Sequence, residues 1–110
     1  MTVETQFAEL VEHFAATPGV TGPGEHADGA RRGFGTDALK INGSIFAMIS
    51  RGSLVLKLPA ARVRELIDAG TGAPFDAGKG HPMREWLAMS GTDPAIWQEL
   101  ADEALRFVGR

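Results

Sequence analysis

The chain has 110 residues, 44% of them hydrophobic and 23% charged, with a formal net charge of −3 and no cysteine. That size and balance fit one globular domain over residues 1–110, large enough to bury roughly two thirds of its unfolded surface. Disulfides, thiolate metal sites and cysteine nucleophiles are excluded, no apolar run approaches the roughly 18 residues of a membrane span, and the acidic balance runs against a dedicated nucleic-acid binder.

The first ten residues, MTVETQFAEL, lack a basic stretch followed by an apolar core, so no signal peptide is expected and a cytoplasmic location is. Residues 3–16 read as an amphipathic helix. Phe7, Leu10, Val11 and Phe14 repeat at i, i+3, i+4 and i+7, with Thr2 a candidate N-cap and Pro18-Gly19 a stop. His13 lies off the central stripe and reads as a surface histidine rather than a ligand. From Val20 to Thr36 the chain is glycine-rich and nearly free of apolar residues. A loop of that length is functional or disordered, and residues 21–32 are expected to be its mobile part. His26 and Asp28 have no neighbouring ligands to complete a metal site. Arg31 and Arg32 are either two solvated charges or a fork for a phosphate or carboxylate. Gly33-Phe34-Gly35 looks like a turn anchored by Phe34 in the core.

Next comes the densest apolar stretch, which reads as three antiparallel strands, Leu39–Asn42, Ser44–Ser50 and Leu54–Leu58. Asn42-Gly43 signals a two-residue type I′ turn, because both central positions need positive φ. Arg51-Gly52 supplies the second turn. An uninterrupted register pairs Ile41 with Ser44, Leu39 with Phe46, Ile49 with Leu54 and Ala47 with Leu56. One face then carries Leu39, Ile41, Phe46, Met48 and Val55, and the other Ile45, Ala47, Ile49, Leu54, Leu56 and Leu58. In that register Lys40 and Lys57 point to opposite faces. Both faces are apolar, so each needs a cover, either helices of this chain or a second molecule.

Pro59 to Ala69 reads as a helix with Val63, Leu66 and Ile67 inward and Gly70 as its stop, while Arg62 and Arg64 read as solvated. Thr71 to Pro82 is a second Gly/Pro-rich connection. Its Gly78-Lys79-Gly80 is not a phosphate loop, since no Ser or Thr follows the lysine, and His81 has no second histidine at ligand spacing. Met83 to Met89 fits a strand or a short helix equally well. The last element is a helix capped by Thr92 or Asp93, with Pro94 at N1 and Trp97, Leu100, Ala101, Ala104 and Val108 along one side. No nucleophile, base and orienting group recur at a recognisable spacing, so neither catalysis nor a cofactor is expected.

The order helix, meander, helix, strand pair, helix resembles the N-terminal domain of the TfoX/Sxy competence regulators and the related MmcQ/YjbR proteins. The residues that carry the likeness are Phe34-Gly35, Leu39-Lys40-Ile41-Asn42-Gly43, Ile45-Phe46-Ala47-Met48, Leu54-Val55-Leu56-Lys57, Pro74-Phe75 and Met83-Arg84-Glu85-Trp86. They span nearly the whole chain and are core and turn residues. The resemblance implies that Met83–Met89 is a strand. It further implies an α+β fold of about five antiparallel strands and three helices, in the order α-β-β-β-α-β-β-α, together with a label of transcriptional or DNA-binding protein. A frequent Gly pair after the Phe is here Gly35-Thr36, and the full regulators have a second domain after this one.

Three functions compete. A regulatory domain that binds a protein partner or itself is favoured by the doubly apolar meander and the acidic balance. A nucleic-acid binder of the YjbR type would use Arg31, Arg32, Lys40, Arg51 and Lys57. A small-molecule pocket under the long loop rests on loop length alone. Cations scattered over two faces predict weak or absent duplex binding.

Overall fold

The computed structural model describes residues 3–22, 38–50, 52–75 and 84–109. The elements in chain order are α1 (Val3–His13), β1 (Val20–Thr21), β2 (Ala38–Ile41), β3 (Ser44–Ser50) and β4 (Ser53–Lys57). They continue with α2 (Ala60–Asp68), β5 (Gly72–Pro74), β6 (Trp86–Met89) and α3 (Pro94–Gly109). The strands form one antiparallel sheet in the order β1-β2-β3-β4-β6-β5. This is the expected α+β class, with six strands rather than about five.

The additional strand is β1. It lies at the start of the stretch read from sequence as a loop, and two residues are too few to show a strand period. Gly19, at φ 86°, turns the chain after α1, and the Asn42 amide donates to the Gly19 carbonyl at 2.9 Å. Val20 then pairs with Ile41 and Thr21 with Lys40. The remaining loop readings, on His26, Asp28, Phe34, Gly78-Lys79-Gly80 and His81, lie outside the described residues.

The hairpin turn at Asn42-Gly43 has φ of 52° and 87°, and Ile41 pairs with Ser44 across it. Two positive φ angles in a two-residue loop are the type I′ geometry, whose twist matches that of the flanking strands. Between Lys40 and Leu39 the ladder slips. Lys40 pairs with Ile45, but Leu39 pairs with Ala47, so Phe46 is an extra residue on β3. This bulge corrects the pairing of Leu39 with Phe46. Around a bulge two successive residues oppose one partner, and here Phe46 and Ala47 both join the same buried cluster. The alternation restarts one residue later, so Ile49, Leu54, Leu56, Leu58, Leu87 and Met89 fall on the side of Leu39 and Ile41.

All three helices pack on that side. α3 crosses β2, β3 and β4, α1 touches α3 and β4, and α2 lies on β5 and β6. α1 ends at His13 rather than residue 16, and Phe14 just beyond it meets Phe46 edge-to-face at 5.3 Å. Gln6 is buried, and its Nε2 donates to the Thr92 carbonyl at 2.5 Å, which ties α1 to the start of α3. Pro59 occupies the N-cap position of α2, one residue before the first turn. Its other end closes in a Schellman motif: the Gly70 amide donates to Ile67 and the Thr71 amide to Leu66, with Gly70 at φ 80°. Asp93 caps α3, its Oδ1 accepting from the Ala95 amide at 3.0 Å, with Pro94 at N1. Trp97, 1% exposed, sits at the centre of the core and donates its indole N–H to the Gly91 carbonyl at 2.9 Å.

The turn is testable. Nothing crowds a Cβ at Gly43, so a substitution there reports on backbone conformation alone. Gly43→Val is expected to cost about 1–3 kcal/mol, because a β-branched residue resists positive φ. Thermal melting should show a loss of several degrees, and an unchanged Tm would count against the turn.

Candidate functional site

Every described helix lies on one face of the sheet, and the candidate cations Lys40 and Lys57 belong to the other. Residues paired across an antiparallel sheet share a face. The pairs Lys40–Ile45, Ala38–Met48, Met48–Val55, Val55–Ala88 and Lys57–Trp86 therefore place all of these side chains together, opposite the helices. Ala38 and Val55 are buried, whereas Lys40, Ile45, Met48, Lys57, Trp86 and Ala88 are half-buried. The face has one wholly apolar row, Ala38, Met48, Val55 and Ala88, and beside it a row in which Lys40 and Lys57 stand among Ile45 and Trp86.

Lys40 and Lys57 thus share one face, which corrects the reading that set them on opposite faces. The cause is the bulge at Phe46, since one inserted residue reverses the facing of everything after it on β3 and on the strands that pair beyond. The other three candidate cations, Arg31, Arg32 and Arg51, lie outside the described residues.

At one end of the sheet the face runs into a cleft of about 540 Å³ lined by Gly43, Ser44, Ile45, Lys57, Trp86, Phe107 and Val108. The start of β3, the end of β4 and the start of β6 meet there, and the last turns of α3 close the side. The Lys57 ammonium stands 5.3 Å from the centre of the Trp86 ring, within cation–π range. Its carboxylate neighbour, Glu85, is at 3.9 Å, beyond hydrogen-bond length. Of the lining residues, sequence reasoning singled out Lys57 alone as a site residue; it placed Trp86 and Val108 as fold residues and did not single out Phe107. Only tertiary packing brings the end of α3 to β6. A smaller cleft, about 380 Å³, lies between Thr71, Met89, Asp93 and Ile96. Its carboxylate is already engaged as the α3 cap.

Arg62 is not simply solvated. Its Nε and Nη2 donate to the two oxygens of Glu103 at 2.9 and 3.0 Å, and Nη1 donates to Glu65 at 3.2 Å. The Glu103 hydrogen bonds raise the guanidinium pKa above its ordinary value, against a smaller opposing effect of burial. The fork joins α2 to α3 on the helix side and leaves Arg62 unavailable to the opposite face. His13 makes a comparable link from α1, 3.4 Å from Asp102. Among the described residues, no group of three His, Cys, Asp or Glu could hold a metal ion, and no helix is long and apolar enough to cross a membrane.

No family model matches the chain, and neither do any curated protein or solved structure.

The helix clamp carries its own test. The Arg62 side chain is 34% exposed, so solvent screens the pair and its coupling should be at most about 1 kcal/mol. A double-mutant cycle with Arg62→Met and Glu103→Gln, read by urea unfolding, should give that value at low salt and less at high salt. A coupling of zero at low salt would show that the fork contributes nothing.

Proposed function

We propose that this is a non-catalytic regulatory domain that acts by docking the sheet face opposite its described helices on a protein partner or on a second copy of itself. The observation that supports this most is the set of half-buried apolar side chains Ile45, Met48, Trp86 and Ala88, with Lys40 and Lys57 among them, on a sheet face with no described helix on it. An antiparallel sheet with a wet face ordinarily carries polar residues there. Apolar stripes edged by charge are the composition of interaction surfaces. The likeness of the core and turn residues to the TfoX N-terminal domain agrees with a regulatory role in the cytoplasm.

The second copy is the occupant to test first. Sedimentation velocity over a wide concentration range should show a monomer–dimer equilibrium. Met48→Asp should shift it to monomer with the Tm lowered by no more than a few degrees, since Met48 is only half-buried. Dimerisation unchanged by Met48→Asp would remove this face from the proposal. A wild-type monomer at every concentration would leave only a different chain as the occupant.

The YjbR-type reading, binding of nucleic acid, is favoured by one observation: Lys40 and Lys57 stand on the same face as the Trp86 ring. Cations beside an aromatic platform are the elements of single-strand recognition. The net charge of −3 opposes it at long range. Titration of labelled single-stranded and duplex oligonucleotides at two salt concentrations separates the two readings. The partner reading expects weak binding or none. Binding lost in Lys40→Ala/Lys57→Ala and falling steeply with salt would establish the nucleic-acid reading instead.

A further inference from the structure

We propose that the cleft at the end of the sheet is a binding site for a small apolar carboxylate, with Lys57 as the anion's partner and Trp86 and Phe107 as walls for its body. This goes beyond a docking face, since it assigns a small-molecule ligand to the recess into which that face runs. The cleft, at about 540 Å³, lies within the usual range for ligand sites, roughly 300–1,000 Å³. Its lining is the usual mixture too: apolar walls from Ile45, Trp86, Phe107 and Val108, with one convergent charged group.

The charge decides the ligand class. Among the described residues of the lining Lys57 is the single cation and none is a carboxylate, Glu85 standing 3.9 Å from the ammonium outside that lining. An ammonium has three donors. Among the described residues Lys57 has Trp86 beneath it and Glu85 at 3.9 Å, neither of which accepts a hydrogen bond from it. Its side chain is 34% exposed, so it is held against the ring yet open to an incoming anion. A carboxylate there gains charge-assisted hydrogen bonds, while an aliphatic or aromatic body displaces water from Ile45, Trp86 and Phe107. A cationic ligand would be repelled, and a neutral one would forgo the charge-assisted hydrogen bonds that the ammonium offers.

The test uses the full chain with phenylacetate and its uncharged counterpart phenylacetamide, followed by two-dimensional NMR. Phenylacetate should give saturable shifts centred on the Trp86 indole N–H and the amides of Ile45 and Phe107. Phenylacetamide should bind roughly tenfold more weakly, the worth of a charge-assisted hydrogen bond. Lys57→Met, checked by its Tm to be folded, should bring phenylacetate down to the level of the amide and leave the amide unaffected. Equal affinity for the two probes, phenylacetate binding unchanged in Lys57→Met, shifts centred elsewhere, or no saturable shift would each overturn the assignment.

Discussion

One extra residue on β3 sets the direction of nearly half the sheet. Phe46 has no partner of its own on β2, and because of it both Phe46 and Ala47 contribute to the helix-side core. Without the bulge, strand alternation would keep Phe46 inward and send Ala47, Ile49, Leu54, Leu56, Leu58, Leu87 and Met89 outward. Most of these are fully buried against the helices. The bulge costs local ladder regularity. That cost is offset by the burial of Leu54, Leu56, Leu58 and Leu87 on the helix side, where Phe46 also stays and meets Phe14 edge-to-face at 5.3 Å.

The two faces differ in character for the same reason. The helix side receives an almost purely aliphatic and aromatic set, with Gln6 the buried polar side chain among the described residues and its amide donating to a backbone carbonyl. The opposite side receives Lys40, Lys57 and Trp86 among smaller apolar residues. A lysine on a half-buried sheet face is tolerable because its stem covers apolar surface while its head stays near water. Lys57 also gains the Trp86 ring. Hydrophobic packing on one side thus leads, through register, to a specific placement of charge on the other.

How much of this was legible follows from where each signal resides. Asn42-Gly43 announced its turn because the positive φ it needs is a property of the two residues themselves. Asp93-Pro94 announced the start of α3 in the same local way. The bulge was not legible, because Ile45-Phe46-Ala47-Met48 is apolar throughout and marks no break in alternation. What favours it is long-range, the burial of Leu54, Leu56 and Leu87 under the helices along with Phe46. The error then passed to Lys57, whose placement depends on every residue counted from the bulge. Arg62 was misread for a related reason. Nothing at its own position in α2 indicates that Glu103, far along the chain, supplies a fork.

The cleft belongs to the part that only packing reveals, and its walls are set by α3 as a rigid body. Near its N-terminus α3 is fixed by Trp97 in the core and by the Asp93 cap. Along its length Asp102 faces His13 of α1 and Glu103 takes the Arg62 fork from α2. Near its C-terminus the backbone of Gly109 lies close enough that a Cβ there would meet Ile41 Cγ1 at 2.9 Å. These contacts tie both ends and the middle of the helix to its neighbours. Phe107 and Val108 are therefore presented to Lys57 and Trp86 by regular structure rather than by a loop, the arrangement that holds a site to a defined shape. Substitutions along α3 that spare the lining should still alter the cleft, because its shape depends on where the whole helix sits.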